Sequence, residues 1–352
     1  MLVYFLVFLV TMLIQFVSVS NQKQYLWRTI ISFVPLFLFG ALRVGEGDYV
    51  TYEDAFYDIH NLAEFTKAND HFELGYIYLC RYMPSWRVLV IFVSFLMCLG
   101  YGRLFYKYLP PTQTKIAFVL LFLSGNYTIY FVLSAMRNGL AVSLLMLAVP
   151  YIIERKWVPV AILGAIATSI HTSAMIAFTV AYLVGRTTTI TKKEITVWMG
   201  IAVVILTTSV AGVLDAIEPL VAQYMDRYDS VIREIEEVQD HSSFLANVAA
   251  VVIGLFLLFV IKQIDYSKAE ASIYRLSLLY PVSFLLGVLN TRVTQYYIIF
   301  AILFTAILCY RFRNRMLNFV FTSFLVLFMS YSFYLWTQSE WFIHQTYYSV
   351  FD

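Results

Sequence analysis

The sequence predicts an all-α protein: a polytopic bundle of about twelve transmembrane helices, with two acidic and partly helical segments outside the membrane. Three observations carry this expectation. Of 352 residues, 61% are hydrophobic and only 13% are charged, well below the roughly 25% charge of a soluble domain. Apolar runs close to the ~20 residues that a hydrocarbon core requires recur along the whole chain. Basic residues cluster at alternate ends of those runs, as the positive-inside rule demands.

Helices are expected near residues 2–20, 29–43, 87–106, 116–134, 138–153, 157–170, 173–185, 195–213, 244–262, 272–289, 293–310 and 316–336. The first lacks both a basic leader and a small-residue cleavage site, so it reads as a retained helix rather than a signal peptide. The stretch 157–185 is long enough for one tilted helix, and charge decides that it is a hairpin. Six basic clusters, Lys23/Arg28, Arg103/Lys107/Lys115, Arg155/Lys156, Arg186/Lys192/Lys193, Lys262/Lys268/Arg275 and Arg311/Arg313/Arg315, fall on one face only if the chain turns between 170 and 173. That face then holds 16 basic residues against four acidic ones, a net of +12, and the other holds 8 against 18, a net of −10. The positive face is cytoplasmic. Both termini lie outside, as do the acidic segments 44–86 and 214–243.

No internal repeat divides the chain, so residues 1–352 read as one integral-membrane domain. The connections on the cytoplasmic face are short, and no G-x-x-x-x-G-K-[ST] stretch occurs. Chemistry driven directly by ATP is therefore not expected, and neither is a nucleic-acid partner. Cys80, Cys98 and Cys309 are too few and too scattered for a disulfide framework or metal cluster.

The external segments have order of their own. From Leu214 to Val238, apolar residues recur every three or four positions, which predicts an amphipathic helix. A weaker pattern of the same kind runs through Tyr49, Tyr52, Phe56 and Ile59. Its aromatics suit the lipid headgroup level.

The informative charges stand at the outer helix ends, on the wrong side for the positive-inside rule. Arg43 closes the second span, Arg137 lies in "LSAMRNGLAVS" and Arg292 in "LNTRVTQYY". The planar fork of an arginine suits phosphate, so a pocket built from all three would hold a pyrophosphate. His171, in "ATSIHTSAM", falls at the outer turn of the hairpin, and imidazole is the side chain best matched to proton transfer near neutral pH. Asp48 and Glu73, in the first external segment, are rival bases.

Four stretches together resemble the EpsG family of polysaccharide polymerases, related to Wzy. "LRVGEGDYVTYEDAF" is similar to the family's segment after the second helix, with Leu-Arg before a Gly-rich turn, an Asp and a Tyr. "FELGY", "MRNGLAVSL" and "IHTSAM" resemble its Phe-Glu-x-Gly-[Phe/Tyr], Arg-Gln-Gly-[Ile/Leu]-Ala and His-x-Ser-Ala elements. They follow family order from about residue 40 to 175. Asn138 stands where the family usually has glutamine, and "GEG" before Asp48 looks like an insertion.

The resemblance implies a glycosyltransferase at the outer face of the bacterial cytoplasmic membrane. Such an enzyme joins oligosaccharide repeat units carried on undecaprenyl pyrophosphate. A sugar hydroxyl of one unit attacks the anomeric carbon of the growing chain, and undecaprenyl pyrophosphate leaves. Arg137, Arg43 and Arg292 would bind the pyrophosphate; His171, ahead of Asp48 and Glu73, would take the hydroxyl proton; Tyr49, Tyr52 and Asn138 would meet the sugar. No cofactor or metal is needed, and a single displacement would invert the anomeric centre. The partners implied are the lipid-linked oligosaccharide, membrane lipid and a chain-length regulator protein. Two other readings stand beside this one: a flippase or secondary transporter of the same lipid-linked sugars, and a ligase that moves finished glycan to another acceptor. Transporter sites lie near the bilayer midplane, whereas these charges sit at outer helix ends.

Overall fold

The computed structural model describes residues 2–44, 48–61, 72–124, 135–186, 266–285 and 290–311, with scattered positions at 197 and between 316 and 349. The described residues are helical almost throughout. Among the described residues eleven helices follow in order: α1 Leu2–Gln15, α2 Gln22–Ala41, α3 Asp48–Asn61, α4 Leu74–Tyr82, α5 Trp86–Tyr108, α6 Thr114–Leu123, α7 Met136–Ile153, α8 Trp157–Ile170, α9 Ser173–Gly185, α10 Lys268–Leu285 and α11 Asn290–Arg311. Two short strands, β1 Arg43–Val44 and β2 Tyr348–Ser349, pair antiparallel with Arg43 opposite Ser349. The chain divides into two compact units, residues 1–186 with 302–352, and residues 187–301.

In the first unit, α2 packs on α1 and α5, α5 on α7, and α7 on α8, which pairs with α9. The all-α class follows from the sequence, and the apolar helices have the character of a membrane protein. Among the described helices, α5 and α7 are long and apolar enough to cross a bilayer, while α1, α6, α8 and α9 are shorter apolar helices. The central helix is α7, whose buried residues run round every side of its axis. By contrast α8 buries only Val160, Gly164, Ala167 and Ile170, and leaves Val158, Ile162 and Ile166 exposed. Gly164 lets α9 approach, since a Cβ there would stand 3.1 Å from the ring of Phe178.

Local chemistry fixes the helix ends. Asn21 caps α2, its side chain accepting the Gln24 amide, and Ser85 caps α5 by accepting from Val88. In the second unit Ser267 and Glu270 form a reciprocal capping box at the start of α10, the Glu270 side chain accepting the Ser267 amide at 2.6 Å. The end of α1 is satisfied from a distance. Buried Arg28 donates to the carbonyls of Gln15 and Val17, and also to Pro111 O at 2.7 Å and Thr114 Oγ1. Those bonds supply the partners that the last turn of a helix lacks.

The hairpin expected at 157–185 is two helices broken at His171 and Thr172. In the segment 44–86, expected to be partly helical, α3 and α4 occupy most of the described residues. The aromatic face of α3 differs from expectation. Tyr49, Phe56 and Ile59 are buried within the protein, with Tyr49 and Phe56 each against Trp86. An amphipathic stripe reads the same whether lipid or protein covers it, and here protein does. The helices expected at 195–213 and 244–262 and the amphipathic segment after Leu214 lie outside the described residues, as does most of 316–336.

Candidate functional site

Three helix ends meet around one carboxylate. Glu73 precedes α4 in extended conformation and makes no cap bond to its own helix. Arg137 stands in the first turn of α7. His171 closes α8, also extended, with its amide bonded to Ala167 O, and Thr172 opens α9. Arg137 Nη1 donates to Glu73 Oε2 at 2.6 Å. On the other oxygen, Oε1, converge the Thr172 amide at 3.1 Å, the Thr172 hydroxyl at 3.2 Å and His171 Nδ1 at 3.3 Å.

The arginine sits in a cage of rings. Its guanidinium lies 4.7 Å from the centre of Phe72, 5.5 Å from Tyr52 and 5.8 Å from Tyr76, and Nε donates to the Tyr52 hydroxyl. Such contacts hold a cation without neutralising it. A close approach of backbones brings α4 to this place. A Cβ on Gly75 would fall 2.6 Å from the carbonyl oxygen of Ser169 on α8, so only glycine lets the two elements touch there. Ser169 is two residues before His171.

Burial alone would raise the Glu73 carboxyl. Its bond with His171, the Arg137 charge and the Thr172 amide together outweigh burial and hold it down at about 2. The Thr172 amide also belongs to the start of α9, where a helix favours negative charge. A carboxylate held this firmly is a poor proton acceptor near neutral pH. In this arrangement Glu73 anchors cationic and polar groups from three segments.

Arg43 has a different setting. The residue is 1% exposed, and its guanidinium lies over Tyr49, 4.9 Å from the ring centre. Its carbonyl accepts a 2.7 Å bond from Arg87 of α5, which also bonds Ala41 O at the end of α2. Tyr49 and Tyr52 are three residues apart on α3, so neighbouring positions of one helix touch Arg43 and Arg137 in turn. Tyr49 is itself 1% exposed, its ring set against Arg43 and Trp86. Asn138 is also buried, in the first turn of α7, rather than on an open surface. Asp48 begins α3 and Arg292 lies in the first turn of α11; both side chains are outside the described residues.

Four residues of the cluster were not singled out by the sequence. Thr172 adds two donors, Phe72 and Tyr76 flank the guanidinium, and Gly75 permits the approach. Their signal was their place inside the quoted stretches: Phe72, Gly75 and Tyr76 in "FELGY", and Thr172 beside the histidine in "IHTSAM".

The matched stretches therefore supply Glu73, Arg137, His171 and Thr172 to a single cluster. The EpsG family profile matches residues 25–349. The chain belongs to the EpsG family. That match covers every candidate residue named above, and it extends well beyond residues 40–175, which carried the resemblance. EpsG family proteins are membrane proteins of polysaccharide biosynthesis, in keeping with the apolar helices of this one. No curated protein and no solved structure matches the chain.

Proposed function

We propose that this EpsG family member is a polymerase of lipid-linked oligosaccharide repeat units, inserted by about twelve spans in the bacterial cytoplasmic membrane with both termini outside. The convergence of Glu73, Arg137, His171 and Thr172 from three separate segments carries the reading. It gathers what glycosyl transfer from a pyrophosphate needs: positive charge for the leaving group and an imidazole for the incoming hydroxyl.

In the proposed reaction a hydroxyl oxygen of one unit bonds to the anomeric carbon of the other. The bond from that carbon to the pyrophosphate oxygen breaks, its electrons staying with undecaprenyl pyrophosphate. His171 takes the hydroxyl proton, and the single displacement inverts the anomeric centre. Arg137, caged by aromatic rings, meets the developing negative charge, with Arg43 and Arg292 as further phosphate contacts. Tyr52, whose hydroxyl bonds Arg137, is the residue of α3 best disposed toward the sugar. The pyrophosphate carries its own activation, so neither ATP nor a metal enters the scheme.

The test uses purified protein in detergent with undecaprenyl-pyrophosphate repeat units, because detergent abolishes transport but permits polymer formation. Wild type is expected to build polymer, and Arg137→Ala and His171→Ala at equal protein level are expected to build none. Full-length polymer from both variants would remove the site. Absence of polymer with wild type, alongside movement of lipid-linked sugar across vesicles, would favour a flippase instead.

A further inference from the structure

We propose that Glu73 is a positioning residue that sets the tautomer of His171, keeping the proton on Nδ1 and leaving Nε2 as the atom that accepts the proton of the attacking hydroxyl. The task given to Nε2 rests on the polymerase reading; the tautomer does not.

The geometry carries the assignment. An ionised carboxylate only accepts hydrogen bonds, and a neutral imidazole has one proton to place. Glu73 Oε2 is met by Arg137, and Oε1 by the amide and hydroxyl of Thr172, so the carboxylate is surrounded by donors. His171 Nδ1, at 3.3 Å from Oε1, completes that set as a donor. The carboxyl's depressed titration, at about 2, keeps it ionised across the working range. With the proton on Nδ1, the other ring nitrogen is a bare lone pair. Nε2 is buried, and no hydrogen-bonding partner reaches it among the described residues.

The opposite tautomer fails twice. It would turn the Nδ1 lone pair toward carboxylate oxygens, and it would bury an N–H at Nε2 with nothing to receive it. The ring has little freedom to escape, since the His171 amide is bonded to Ala167 O and the side chain is 6% exposed. Glu73 is fixed in turn by Arg137 of α7 and by the contact of Gly75 with Ser169 on α8. Among the described residues, the other titratable groups near this point are Tyr52 of α3 and Tyr76 of α4, both against the Arg137 guanidinium, and Cys80 of α4 beside Tyr76. A buried acceptor of this kind is reached only when substrate displaces the side chains that cover it.

The experiment is nitrogen NMR of the full chain in lipid nanodiscs, labelled with 15N-histidine, at about pH 8, where free imidazole is neutral. The His171→Gln spectrum identifies the His171 signals. Wild type is expected to show Nε2 unprotonated and Nδ1 protonated, and Glu73→Ala is expected to move the proton to Nε2, the tautomer that free imidazole side chains prefer. Polymer formation by Glu73→Ala should fall by about 10²-fold or more, the share usually carried by a positioned base. A wild-type spectrum with the proton on Nε2 overturns the proposal without need of any variant. So does a Glu73→Ala protein with the wild-type tautomer, or one that polymerises at the wild-type rate. Because the spectrum reads the imidazole directly, a wild-type protein that makes no polymer would refute the polymerase alone.

Discussion

Glu73 and Arg137 stand 64 residues apart in the chain, and their side chains meet at 2.6 Å. The two are also largely shielded from solvent, at 18% and 14% side-chain exposure. Removing either partner leaves the other charged in a setting that no longer compensates it. Arg137→Ala is expected to cost about 2–4 kcal/mol of stability, less than a fully buried pair because some water reaches both groups. Adding Glu73→Ala should recover part of that loss, with a coupling of at least ~1 kcal/mol in a double-mutant cycle. Thermal unfolding of the four proteins in one detergent measures it, and strict additivity would mean that the pair is not coupled.

Gly75→Ala should be more damaging than its size suggests. The new methyl group would lie 2.2 Å from Ser169 Oγ and 2.6 Å from the Ser169 carbonyl oxygen, so α4 must move away from α8 and carry Glu73 with it. The Ser169 side chain is only half of the obstacle. Gly75→Ala combined with Ser169→Ala is therefore expected to remain defective in polymer formation, whereas a clash with the hydroxyl alone would be relieved by the second change.

Acid should erase the contribution of Glu73. Its folded carboxyl titrates at about 2, below the ordinary 4.5, so the stability it confers is fully present above about pH 4.5 and disappears as the pH falls toward 2. The unfolding temperature of Glu73→Gln should lie below that of wild type near pH 7. The gap should close between about pH 4.5 and 2. A gap that persists unchanged to the acid end would show that the carboxylate charge is not what stabilises this point.

Much of the helical framework was legible in the sequence, because apolar runs and cap residues are local signals. The break at His171 was readable too, since only a turn there puts Arg155 and Arg186 at the same end of the hairpin, and an Arg155 Nε to Arg186 O bond joins them. The partnership of charges was not. The sequence offered five neighbouring carboxylates between 46 and 58 as well as Glu73, and nothing in their spacing says which one faces an arginine 64 residues later. That choice depends on the crossing of α4 and α8, which a single glycine permits. The fate of Tyr49 was hidden for a related reason: its place on the apolar face of α3 was clear, but the Trp86 that covers it belongs to another helix.

The small ladder between β1 and β2 gives the protein a timetable. Arg43 leaves the ribosome about 300 residues before its strand partner Ser349, an interval of roughly 15–60 s at ordinary rates of synthesis. Until then the backbone at Arg43 lacks its strand partner, although Tyr49 and Arg87, which hold its guanidinium and its carbonyl, are already in the chain.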